Sequence, residues 1–354
     1  MSQHITVSYT KKSMTTAKTQ PSFLEFIPTS IFGAVMGLTG LSFCWGWAER
    51  TWGASGWIKD LLGGIAILLF LLLSIAYLLK WRKYPDLVRT EFKHPVSVSF
   101  FGTIIISLLL LPGIFFAYSK PLATGIWATG TVLMAAFSWY VFRRWLGRQQ
   151  DPANALPAWL LPIVGTLDIP VVGARLAFPG AREINLLFFA IGLAFAIILM
   201  TIIIYRLLFF PPLPEAIQPS LMILVGPFAL ATSAYDSFTG AHDIALSVFF
   251  YFDLALLVLL GSKLVLLPKC CPFRVGWWGV SFPLVAFTIA AFRYSAKVPS
   301  KLFQLLPGAL LALSTVVILY LLIQSLYKLF TRQLFLPDPA AENATRMLEP
   351  AIKP

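Results

Sequence analysis

The sequence predicts an all-α polytopic membrane protein. It should have ten transmembrane helices arranged as five helical hairpins, with an inner ring of proline-kinked odd helices around a central pore and an outer ring of even helices. Three observations lead there. Of 354 residues, 58% are hydrophobic and 12% charged, where a soluble domain carries about a quarter charged residues; the mean hydropathy is +0.81. Apolar stretches of about 20 residues, the length that crosses hydrocarbon, recur ten times. Their proline and small-residue content alternates from one stretch to the next.

In order, the stretches run near 28–48, 58–80, 96–117, 122–142, 157–176, 185–208, 219–238, 244–266, 275–295 and 303–326. The odd ones carry prolines: Pro28, then Pro112, then Pro162 and Pro170, then Pro227, then Pro283. They also mix in small and hydroxyl residues, such as Gly33, Gly37, Gly40, Gly102, Thr103, Gly165, Thr166, Gly226, Ser281 and Thr288. The even ones are plain; residues 65–79 and 193–208 are almost all large and aliphatic or aromatic, and only Pro307, near the start of the tenth, breaks the rule. Glycine and proline are common in membrane helices, so one or two would mean nothing. The near-confinement of proline to alternate segments points to two environments. Small residues let backbones approach, and broken helices belong where protein or a water-filled cavity covers them.

The chain divides into a polar N-terminal tail (1–21), expected to be disordered, a transmembrane domain (22–330) and a polar C-terminal tail (331–354), both tails expected to be cytoplasmic. All but eight of the 27 Lys and Arg residues fall on the side of the two termini, so that side is expected to face the cytoplasm. Net charge is +12, read as this excess and not as a nucleic-acid surface. Short loops and the lack of a transit peptide suggest a bacterial or archaeal inner (plasma) membrane. Cys44, Cys270 and Cys271 form no CxxC pair, and His4, His94 and His242 are far apart, so no metal centre, cofactor or catalytic constellation is expected and the chain is not read as an enzyme.

The segment Trp277-Trp278-Gly279-Val280-Ser281-Phe282-Pro283 is the most informative. Proline removes a backbone donor and clashes with the preceding turn, so a bend is expected at Pro283, with the bulky Phe282 beside it. That combination suggests an obstructed passage. Pro28, Gly33, Gly37, Pro112, Pro162, Gly165, Pro227 and Ser281 are the other candidates for kinking or lining it.

Several charges stand out. Asp168 and Asp253 fall inside spans, where carboxylates are costly and functional by default. Asp168 has either a structural role or a part in proton movement, and Asp253 a helix or protomer contact. Arg293, Lys297 and Lys301 either gather anions or anchor at the interface. Asp236 and Asp243 read as solvated loop charges. Trp45, Trp47 and Trp57 fit an interfacial belt, and Gly33-x-x-x-Gly37 reads as close packing within one protomer.

These residues together resemble the tellurite-resistance and dicarboxylate transporter family (TehA type), which includes the plant slow-type anion channels. The matching pieces are Pro28-Thr29-Ser30-Ile31-Phe32-Gly33 with Gly37 and Gly40; His94-Pro95; Pro157, Pro162 and Gly165; Pro219, Gly226 and Pro227; and Trp277-Trp278 with Ser281-Phe282-Pro283. The resemblance covers about residues 22–330. It implies ten helices as five hairpins around a pore, a homotrimer with one pore per protomer, and a phenylalanine plug at Phe282. The expected function is passive conduction of small anions. The alternative is a proton-coupled carrier or exporter of C4-dicarboxylates or oxyanions such as malate, sulfite or tellurite, favoured by Asp168.

Overall fold

A computed structural model describes residues 23–335; the side chains of 263–270 and the two tails as far as 22 and from 336 lie outside the described residues. Helices account for nearly all of the described chain. Nine segments are long and apolar enough to cross a membrane, and a shorter apolar helix, Pro157–Gly173, stands where the fifth span is expected.

The odd segments share one construction. Each starts as a 3-10 stretch and passes directly into α-helix. Thr29–Phe32 leads into α1 (Gly33–Trp52), and α2 (Trp57–Lys83) and the short α3 (Pro85–Lys93) follow. Ser97–Phe100 leads into α4 (Phe101–Leu110), continued by α5 (Pro112–Phe115) and then α6 (Lys120–Leu146). Pro157–Leu160 leads into α7 (Leu161–Gly173), followed by α8 (Ala181–Phe209). Glu215–Val225 leads into α9 (Gly226–Thr239), followed by α10 (Ile244–Cys270). Val275–Val280 leads into α11 (Ser281–Ser295), followed by α12 (Lys301–Phe330). The even segments α2, α6, α8, α10 and α12 are continuous α-helix.

The expected mid-helix bends therefore take a different form. Pro162 and Pro227 are the second residues of α7 and α9, Pro283 the third of α11, Pro112 the first of α5, and Pro28 precedes the first 3-10 stretch. In a first turn the N–H that proline lacks has no intrahelical acceptor anyway. Only Pro170 lies inside an α-helix among these. Apart from the interruption at Leu111, directly ahead of Pro112, between α4 and α5, the break is the change of helix type at the start of each segment.

Hydroxyls from neighbouring segments take up carbonyls at these junctions. Thr103 Oγ1 donates to the Thr29 carbonyl (2.9 Å), Ser107 Oγ to that of Phe32 (3.2 Å) and Ser281 Oγ to that of Gly33 (3.2 Å). Irregular backbone at membrane depth survives only when satisfied in this way.

Burial separates the two kinds of segment. The most apolar windows of the four long odd segments are 56–83% buried, those of the even ones 17–39%. In Pro157–Gly173 every residue except Val171 is buried. The even segments leave large aliphatic side chains exposed, as at Leu68, Leu72 and Ile75 of α2 and Val316 and Ile323 of α12.

Three charged positions differ from expectation. Asp236 is not a solvated loop charge: it lies in the last turn of α9 and faces α11, where Arg293 Nη1 (2.7 Å) and Lys297 Nζ (2.9 Å) reach it. Asp243 caps α10, accepting from the Leu246 N–H (2.9 Å) and from Tyr235 Oη (2.6 Å). Lys80, one of the Lys and Arg residues assigned by count to the side of the two termini, is fully buried; its Nζ donates to the Ile27 carbonyl (2.8 Å) and pairs with Glu91 on α3.

Candidate functional site: two cavities on one line of helices

A first cavity of about 40 Å³ is lined by residues from all five odd segments and from no even one. Ser30, Gly33 and Met36 come from the first, Phe100, Thr103 and Ile106 from the third, and Leu161 and Val164 from the fifth. Ile223 and Gly226 come from the seventh, and Gly276, Trp278, Gly279, Phe282 and Pro283 from the ninth. A water needs roughly 10–15 Å³ by this measure, so the space suits a few waters or one small ion. Its wall is apolar apart from the Ser30 and Thr103 hydroxyls and exposed backbone. Such a wall holds no ion tightly.

Phe282 is nearly buried and stands against this cavity. Its ring comes close to α1 at Gly40. Gly40 lies between Met36, which lines the first cavity, and Phe43, which lines a second. The second cavity, about 140 Å³, is at the other end of the same helices. Four odd segments run from one to the other: Met36 to Phe43 on α1, Ile106 to Gly113 on α4 and α5, Val164 to Val172 on α7, and Phe282 to Ile289 on α11.

Gly33, Phe282 and Pro283 thus line the first cavity. Gly37 does not: it is at the α1–α11 contact, where an added Cβ would sit 2.4 Å from Ser281 Oγ. Gly33-x-x-x-Gly37 is a packing contact inside one chain, extended by Gly40. Ser281 is fully buried at that contact, and its hydroxyl is occupied by the Gly33 and Trp278 carbonyls. Gly165 faces Met134 and Ile106. Pro28, Pro112, Pro162 and Pro227 shape the segments and do not line the first cavity.

Asp168 is fully buried on α7, and neither carboxylate oxygen has a hydrogen-bond partner among the described residues. It is one turn from Val164 and one turn from Val172, hence on the same helix face as residues lining the two cavities. The α8-facing side of α7 is a different one, marked by Thr166, Leu167 and Gly173 against Gly192 and Asn185. Asp253 is likewise fully buried within the single chain.

Sequence reasoning missed the second cavity. Its wall includes Trp47, Arg50, Lys59, Arg175 and Arg293. Trp47, read as part of an interfacial belt, has two guanidiniums near its ring, with Arg293 Cζ 5.3 Å and Arg50 Cζ 5.7 Å from the ring centroid. The available signal was the spacing of Phe43, Gly46, Trp47 and Arg50 on one face of α1, matched by Ile289 and Arg293 on α11.

Known proteins bear on this geometry. The family described as voltage-dependent anion channel matches residues 27–326. The S-type anion channel SLAH2 of Arabidopsis thaliana is 27% identical over 329 residues, covering 91% of this chain and 62% of that protein. The guard cell S-type anion channel SLAC1 of the same plant is 25% identical, covering 92% of this chain and 60% of that one. The tellurite resistance protein TehA homolog of Haemophilus influenzae is 28% identical over 313 residues, covering 88% of this chain and 93% of that protein. The chain therefore spans about three-fifths of the plant channels and nearly all of the bacterial relative. With a match over most of its length and the apolar helices to occupy a bilayer, the chain is a multi-pass membrane protein that belongs to the voltage-dependent anion channel family.

Proposed function

We propose that the chain conducts small anions passively through a path joining the two cavities, closed by the side chain of Phe282. The observation that carries this is a cavity walled by all five odd segments, with Phe282 on its wall. Ten segments then form five hairpins, the buried odd members around the axis and the exposed even members toward lipid. The path is narrow and apolar at the Phe282 level, where the ring closes it by steric block and dewetting. The two termini and the first cavity face the cytoplasm, in keeping with the Lys and Arg distribution, and the second cavity opens outside. The membrane is the inner (plasma) membrane, and the assembly is a homotrimer with one path per protomer, as the family resemblance implies.

The position of Asp168 favours a second reading, a proton-coupled carrier of C4-dicarboxylates or oxyanions. An ionised carboxylate on the stripe between the cavities opposes an anion, and a proton on it removes that opposition. Transport would then follow the proton.

Anion flux into proteoliposomes tests both readings, parent against Phe282→Ala, with chloride, nitrate and malate, with and without a pH gradient. Flux that rises in the variant and ignores the gradient supports the channel. Flux that needs the gradient, fails to rise in Phe282→Ala and disappears in Asp168→Asn supports the carrier.

A further inference from the structure

The second cavity carries a charge pattern that conduction alone does not require. Four cations stand on its wall, Arg50, Lys59, Arg175 and Arg293, against one carboxylate, Asp60. Lys59 is already matched, pairing with Glu49 at 2.7 Å. Arg50 and Arg175 form no ion pair among the described residues. Arg293 shares the single carboxylate of Asp236 with Lys297, so that group keeps a positive excess.

Arg293 is also built in. It is 9% exposed, its Nη1 is fixed by Asp236, and its Cζ lies over the Trp47 ring. Its Nε has no hydrogen-bond partner among the described residues. That nitrogen is buried, so the charge of the Arg293 guanidinium is only partly matched on the cavity wall.

We propose that this cavity is a binding site for a small oxyanion, held by the guanidiniums of Arg175 and Arg293 with Arg50 at the rim. Guanidinium donors form a planar fork that matches a pair of oxygens and discriminates them from a spherical halide. A cavity of about 140 Å³ accepts an ion of the size of nitrate with some of its water. The site is separate from the apolar cavity at Phe282 and loads the path from its basic end. Its role in loading rests on the anion-transport reading; its existence as a binding site does not.

The test is binding to the full-length chain purified in detergent. The thermal unfolding midpoint is followed as nitrate replaces chloride at constant ionic strength. The parent should show a saturable rise. In Arg175→Gln the half-saturating nitrate concentration should increase by about tenfold, the loss expected for one charge-assisted contact. Arg175→Lys, which keeps the charge and loses the fork, should fall between and discriminate nitrate from chloride less well. Arg182→Gln, an exposed arginine outside the cavity wall, should match the parent. If Arg175→Gln does not fold, Arg175→Lys and Arg50→Gln carry the comparison. A parent with no saturable nitrate effect overturns the site, as do cavity variants that all saturate like the parent. Flux without saturable binding would sink the site and leave the channel. Binding without flux would do the reverse.

Discussion

The ring of Phe282 on α11 reaches α1 at Gly40: a Cβ built on residue 40 would lie 3.9 Å from Phe282 Cδ2. The same Cβ would lie 2.2 Å from Val285 Cγ2. The absence of a side chain at Gly40 is what lets α11 approach α1 closely at the level of Phe282 and Val285.

Phe282→Ala should raise anion flux in proteoliposomes by about tenfold, equivalent to removing ~1.4 kcal/mol of barrier. The variant should not need a pH gradient. Flux equal to that of the parent would show that the ring is packing and not a gate.

Gly40→Ala should lower stability by about 1–3 kcal/mol, the usual cost of overpacking, because Val285 is β-branched and has few rotamers to retreat into. Val285→Ala should recover most of that loss in the double variant, since the two sites share one contact. Thermal unfolding in detergent reads both effects. Simple addition of the two losses would exclude the contact as the cause.

Asp236→Asn leaves Arg293 and Lys297 facing each other without their shared carboxylate. The side chains of Asp236 and Arg293 are only 11% and 10% exposed, so solvent screens the loss little. About 2–4 kcal/mol of stability should go, at low and at high salt alike, since buried charges are little screened. A melting curve equal to that of the parent would contradict this.

Lys80→Met should destabilise the chain by about 2–3 kcal/mol. The side chain ties the lead-in of α1, through the Ile27 carbonyl, to Glu91 on α3, which also accepts from Tyr77 Oη (2.9 Å). Protease susceptibility near residue 27 should rise with it. Unchanged cleavage would mean that the tie is dispensable.

Much of this molecule was legible in the residue order because a bilayer imposes a local rule: each crossing must be long, apolar and satisfied in its own hydrogen bonds. The all-helical, multi-pass character followed, with nine apolar segments long enough to cross among the described residues, as did the alternation of buried proline-bearing and exposed plain segments. The fifth segment is shorter than that rule asks, and burial on nearly every residue explains how it is kept. Other features depend on which faces meet. Pro283 and its counterparts occupy first turns because each odd segment changes from 3-10 to α-helix, and neighbouring hydroxyls such as Thr103 and Ser107 make that change affordable. Ser281 looked like a lining hydroxyl and is a strut to Gly33. Asp236 looked solvated and is held by α11, because a residue in the last turn of one helix lies beside the last turn of its neighbour. The cluster of Arg50, Arg175 and Arg293 comes from three segments far apart in the chain. Its charges sit within reach of one another only because α1, α7 and α11 end at the same cavity. Sequence sets what each helix is; packing decides which side chains share a space.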